Sequence, residues 1–132
     1  MINVLVVEDH PVLREIIVAR LNSQADIIVT GQADNGHDAI ALFNGGITAD
    51  IILTDLQMPI MNGIELTRYI VNSNLTNKAV IILSMKDHEL YKGQAINAGA
   101  KAVLSKMEDF ELILISIRNI FKENFNSPQD CL

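Results

Sequence analysis

The chain has 132 residues, of which 49% are apolar and 20% charged, and its formal net charge is −6. That length and apolar fraction describe one globular domain with a real core. The acidic balance argues against non-specific affinity of this segment for nucleic acid or an anionic membrane, because both need a basic surface.

The N-terminus, MINVLVVEDH, has no basic leader and soon meets two acids, Glu8 and Asp9. Residues 2–7 read as a strand, since short continuous runs of β-branched residues suit strands buried on both faces. Residues 11–21 have helical period with Pro11 in the first turn, where its missing N–H costs nothing, so His10 reads as the helix opening rather than a ligand. A second strand over 26–31 and a helix over 36–43 follow, with His37 solvated. A third strand, 50–54, runs directly into Asp55. The loop beyond it holds Met58, Pro59 and Met61, read as packing because Met fills irregular gaps, and a helix follows over 63–73. The remaining elements are a strand at 79–84, a helix at 88–98 that begins on a solvated His88, a strand at 101–104 and a helix at 108–122. No stretch approaches the roughly 20 apolar residues of a membrane helix. Residues 1–122 form the domain, and 123–132, with Ser-Pro and Asn residues, read as a linker or frayed tail. The single cysteine, Cys131, lies in that tail without an intramolecular partner, so a reducing, cytoplasmic setting is the simpler inference.

Strand and helix alternating along the chain predict an α/β fold, a parallel sheet with helices on both faces. Right-handed crossovers make it an open, doubly wound sheet, and a closed barrel would need more chain. Ligands of such sheets bind beyond the carboxyl ends of the strands. Strand one ends in Glu8-Asp9, strand three in Asp55, strand four in Ser84 and strand five in Ser105-Lys106. Singly each has a bland reading: a helix cap, a turn residue, a solvated charge. Jointly they put three acids, a hydroxyl and a lysine on one rim, while the opposite rim offers nothing comparable.

Three facing carboxylates repel and raise their own pKa values unless a cation sits among them, and Mg²⁺ takes oxygen ligands together with waters. A carboxylate can also accept a phosphoryl group as an aspartyl phosphate, with a metal and a lysine neutralising the phosphoryl oxygens. Asp55 lies on the central strand between the acid pair and Ser84, while Glu8 and Asp9 are better placed to hold the metal.

VLVVEDHPVLRE at 4–15, ILTDLQMPIMNGIEL at 52–66, IILSM at 81–85 and AINAGAKAVLSK at 95–106 resemble, in order and spacing, the receiver domain of bacterial two-component response regulators. The likeness covers roughly residues 2–122. EDHPVLRE, with no proline after Lys106, most resembles receivers that precede a LuxR-type helix-turn-helix. The resemblance implies a (βα)5 flavodoxin-like fold with strand order 2-1-3-4-5. It implies that Asp55 accepts a phosphoryl group from a sensor histidine kinase and that Glu8, Asp9, Asp55 and the Gln57 backbone carbonyl bind Mg²⁺. Ser84 would be the switch hydroxyl and Lys106 its phosphate-pairing partner, with Gln57 and Lys86 tuning dephosphorylation. The family's aromatic switch position, three before the lysine, is here Val103. Weaker coupling of the site to the face made by helix four, strand five and helix five is therefore expected.

Rival chemistries fit less well. A haloacid-dehalogenase-like phosphatase needs a second Asp two positions after its nucleophile, and that position is Gln57. A flavodoxin would cradle a flavin phosphate with hydroxyls and amides at the first strand-to-helix turn, where EDHPV supplies acids. The intact acid, hydroxyl and lysine set argues against a degenerate receiver that only binds proteins. The expectation is a signalling switch, not a metabolic enzyme, that acts on its own phosphotransfer and slow dephosphorylation. Its output would be transcription through a DNA-binding domain outside this chain or, alternatively, docking of a stand-alone receiver to a protein partner.

In the last helix, a spacing of about 100° per residue groups Phe110, Ile113, Leu114, Ile117, Ile120 and Phe121 on one face, the stripe that should cover the sheet. Leu112 and Ile115 fall outside it and are expected on the exposed side, as part of a homodimer contact.

Overall fold

The computed structural model describes residues 1–73, 78–85, 88–106 and 109–125. Among these residues strands and helices alternate throughout: β1 (Ile2–Val7), α1 (Pro11–Asn22), β2 (Ile27–Ala33), α2 (Gly36–Asn44), β3 (Ile51–Asp55), α3 (Gly63–Asn72), β4 (Ala79–Ser84), α4 (His88–Ala98), β5 (Ala102–Ser105) and α5 (Phe110–Phe125). The strands form one parallel sheet in the order β2-β1-β3-β4-β5, the doubly wound arrangement the sequence predicts.

Successive side chains of a strand point to opposite faces, and the two apolar layers follow that rule. Leu5, Val7, Ile52, Val80, Ile82 and Val103 pack on one side with Leu66 and Ile70 of α3 and Ala95 of α4. Val4, Val6, Ile51, Leu53, Ile81 and Leu83 pack on the other with Ile17 and Leu21 of α1 and Ile113, Leu114 and Ile117 of α5. Each Val, Leu or Ile side chain taken fully from water contributes about 1.5–3 kcal/mol, so β3 and β4, buried along their whole lengths, form a rigid floor for whatever stands at their ends.

Boundaries differ from expectation where polar residues intervene. The second strand continues past Gly31 to Ala33 because a bulge shifts its pairing, Val4 opposing Val29 and Leu5 opposing Gly31. The Thr30 hydroxyl, set out of register, donates to the Thr48 carbonyl at 2.6 Å. Asp50 lies before β3 because its carboxylate accepts the Asn3 N–H at 2.9 Å, and Asp55 becomes the last strand residue by pairing with Leu83. Helix α5 reaches Phe125, three residues into the expected tail, while Glu108 and residues 126–132, Cys131 included, lie outside the described residues.

Candidate functional site

Helix α1 begins at once after the acid pair because His10 caps it, its Nδ1 accepting the Leu13 N–H at 3.3 Å while Pro11 opens the first turn. The turn between β1 and α1 is therefore tight, and Glu8 and Asp9 stay on the rim. On the far side of Asp55, Asn62 and Glu65 form a reciprocal capping box that starts α3. Gly63 seats that helix against the site: a Cβ there would stand 2.4 Å from the Asp55 carbonyl oxygen. Met58 and Met61 pack on the core as expected, and Met61 lies over Gly36, where a Cβ would come within 2.7 Å of it. Ile60 between them sits at φ 72°, an uncommon backbone for a β-branched residue.

These constraints bring the predicted rim together. One carboxylate oxygen from each of Glu8, Asp9 and Asp55 lies within 4.8 Å of the others. The Lys106 ammonium reaches across to Glu8 Oε1 at 2.5 Å and Asp55 Oδ1 at 3.1 Å. Glu8 is buried, and its second oxygen accepts the His10 N–H at 3.2 Å. Burial pushes the Asp55 carboxyl up to about 7, the Glu8 carboxylate adds to that rise, and the Lys106 ammonium opposes both. A single buried lysine thus holds two acids, while Asp9 stands exposed beside them. Oxygen donors this close, one of them open to water, suit a hard divalent cation that keeps several waters.

Ser84 is buried at the end of β4. It lines, with Asp55, Leu56, Gln57, Met85 and Lys106, a cleft of about 120 Å³, in which Gln57 is exposed. The backbone binds the same parts together, since the Leu56 N–H donates to the Leu83 carbonyl and the Lys106 N–H to the Ser84 carbonyl, each at 2.9 Å. A wider opening of about 600 Å³ leads from Asp55 past Asp9, Val12, Ile16 and Met85.

Val103 is buried in the layer shared with Tyr91 and Ala95 of α4, so its small side chain already points inward. On α5 the predicted apolar face covers the sheet, while Leu112 and Ile115 are 46% and 48% exposed. Lys86 lies outside the described residues. Sequence reasoning missed Arg14 and Gly63. Arg14 could have been flagged as a basic residue one turn into a helix whose N-terminus favours acids, and Gly63 as a glycine in a helix start that already has its cap.

Residues 4–118 match the response regulator receiver domain. The chain belongs to that family. This receiver is 38% identical over 117 residues to the transcriptional regulatory protein YxjL of Bacillus subtilis, covering 89% of this chain and 53% of the relative. It is 44% identical over 108 residues to a protein-glutamate methylesterase/protein-glutamine glutaminase of Nitrosospira multiformis, covering 80% of this chain and 30% of that protein. A solved LuxR-family two-component response regulator from Aurantimonas superposes with a TM-score of 0.83 at 27% identity, over 90% of this chain and 84% of that one. The receiver therefore spans about half of one curated relative and about a third of the other. Its resemblance to LuxR-family regulators agrees with the reading of EDHPVLRE, and no helix among its described residues is long and apolar enough to cross a membrane.

Proposed function

We propose that this receiver is the phosphorylation-controlled switch of a two-component system, working in the cytoplasm. A sensor histidine kinase supplies the phosphoryl group: the P–N bond of its phosphohistidine breaks as a P–O bond to an Asp55 carboxylate oxygen forms. The observation that carries this reading is the convergence on buried Asp55 of Lys106 and two further acids, an arrangement the fold has no structural need for. Glu8, Asp9, Asp55 and the Gln57 carbonyl would hold Mg²⁺, which when bound offsets negative charge on the transferring group. Lys106 is positioned to follow that charge, and Ser84 lies along the same cleft as the hydroxyl that answers it. Gln57 and Lys86 tune dephosphorylation, and beyond its own phosphotransfer the domain is not an enzyme.

The output is transcription through a DNA-binding domain outside this chain, which the LuxR-type relatives favour, while docking to a protein partner is the alternative. Self-association through Leu112 and Ile115 belongs to the same reading. Leu112→Glu with Ile115→Lys should leave a folded domain that sediments as a monomer after beryllofluoride is added, and a variant that dimerises like the wild type would remove this contact. The central test is Asp55→Asn, which should abolish labelling by acetyl phosphate while keeping the fold, because only a carboxylate forms the acyl phosphate. Stoichiometric labelling of that variant elsewhere would overturn the assignment.

A further inference from the structure

The Arg14 side chain leaves α1 and folds back beneath the acid-bearing turn. Its Nη1 donates to the Glu8 backbone carbonyl at 2.7 Å and to the Asp34 carboxylate just beyond β2. The Arg14 side chain is 18% exposed while that of Asp34 is 62% exposed, so the acid fixes the arginine from the solvent side and the arginine holds the turn from within. The two N–H groups on one Nη supply both bonds in a fixed plane, which a lysine ammonium on its flexible stem does not reproduce.

The Glu8 carbonyl belongs to the peptide that leads into Asp9. Holding that oxygen fixes the peptide plane, and the plane sets the direction in which Asp9 leaves the backbone. Glu8 is restrained by Lys106 and the His10 N–H, and Asp55 by Lys106 and its place in β3. Asp9 stands exposed on the turn, and repulsion from its neighbours favours swinging it away.

We infer that Arg14 is a positioning residue for the divalent cation: anchored by Asp34, it fixes the Glu8–Asp9 peptide and so holds the Asp9 carboxylate against Asp55. The inference rests on the reading of the acid cluster as a Mg²⁺ site, and its sign separates it from plain electrostatics. A positive charge near the cluster repels a cation, so on charge alone its removal would tighten Mg²⁺ binding, whereas loss of positioning weakens it.

Calorimetric titration of Mg²⁺ into wild type, Arg14→Met and Arg14→Lys tests this. Arg14→Met should bind Mg²⁺ about tenfold more weakly, the usual size of an outer-shell loss, and Arg14→Lys should lie between. Acetyl-phosphate labelling of Arg14→Met should need correspondingly more Mg²⁺ but approach the wild-type rate at saturation. A folded Arg14→Met that binds Mg²⁺ as tightly as wild type, or more tightly, overturns the inference and leaves the parent reading standing. If Arg14→Met does not fold, Arg14→Lys decides: wild-type affinity there overturns the inference and a partial loss supports it. A wild type that binds no Mg²⁺ overturns the parent reading and this inference together.

Discussion

At the amino-end rim of the sheet, Asp26 is gripped by the Arg118 guanidinium through two bonds of 2.9 and 3.0 Å, and Asp50 accepts the Asn3 N–H. At the carboxyl-end rim, Glu8, Asp9 and Asp55 crowd together and two of them share Lys106. Both rims set acids beside a basic residue, against the expectation that the amino-end rim offers nothing comparable, yet the carboxyls move in opposite directions. The Arg118 hydrogen bond holds Asp26 below the usual carboxylate range, while burial and the Glu8 carboxylate push Asp55 up to about 7. Acids given one donor each tie the fold together. Acids crowded around one lysine are held at a cost, and that cost gains a use when a cation or a phosphoryl group arrives.

The largest effect should come from removing the shared lysine. Lys106→Met leaves Glu8 buried without its cation, and breaking one side of a buried pair costs roughly 3–5 kcal/mol. Arg118→Met, at a pair whose side chains are 34% and 47% exposed, should cost far less. Urea unfolding of both variants at neutral pH without Mg²⁺ measures the difference, and equal losses would break the contrast between the rims.

Asp55→Asn sharpens the contrast from the other direction. The folded-state pKa of Asp55 is raised from 3.8 to about 7, so the folded chain binds the proton more tightly than the unfolded one. The stability that Asp55 contributes is therefore present below about pH 4 and is lost as pH rises through about 7. Asn imitates the neutral acid, so the metal-free variant should match the wild type near pH 4 and exceed it by about 2 kcal/mol at pH 8. Each tenfold gain in proton affinity on folding is worth about 1.4 kcal/mol, and the response of the neighbouring lysine offsets part of the total. Mg²⁺ should stabilise the wild type and leave the variant nearly unchanged. Melting curves that rise with pH in the wild type would contradict the burial account of Asp55.

Much of this was legible in the sequence because short, continuous β-branched runs bounded by turn residues suit strands buried on both faces. Strand ends then fall on a common rim, which placed Glu8, Asp9, Asp55, Ser84 and Lys106 together. The α5 face was legible for the same periodic reason, down to the exposure of Leu112 and Ile115. The edge strand β2 was harder, since its inner partners are few and its bulge at Thr30 leaves no periodic mark. The tie from Arg14 to Asp34 joins residues 20 apart, one in α1 and one just beyond β2, and although a basic residue near a helix N-terminus marks Arg14, nothing in the sequence names its partner. The close fit of Gly63 on the Asp55 carbonyl was hidden in an Asn-Gly pair that equally marks a turn.

The smallest effect belongs to the amino-end rim. Asp26 is ionised more readily in the folded chain than in the unfolded one because the Arg118 hydrogen bond favours its charged form. Its contribution is therefore present above the ordinary value of 3.8 and lost as pH falls through the depressed folded value, opposite in sign to Asp55. Asp26→Asn should cost no more than about 1 kcal/mol at neutral pH, because a half-exposed pair is screened by water and salt. The cost should shrink with added salt and disappear in acid. With both carboxyls intact, the metal-free domain should be most stable in mildly acidic solution, since the Asp55 contribution fades above that range and the Asp26 contribution below it. If Asp26→Asn instead loses several kcal/mol with no response to salt, the pair is part of the buried framework and the two rims differ less than their geometry implies.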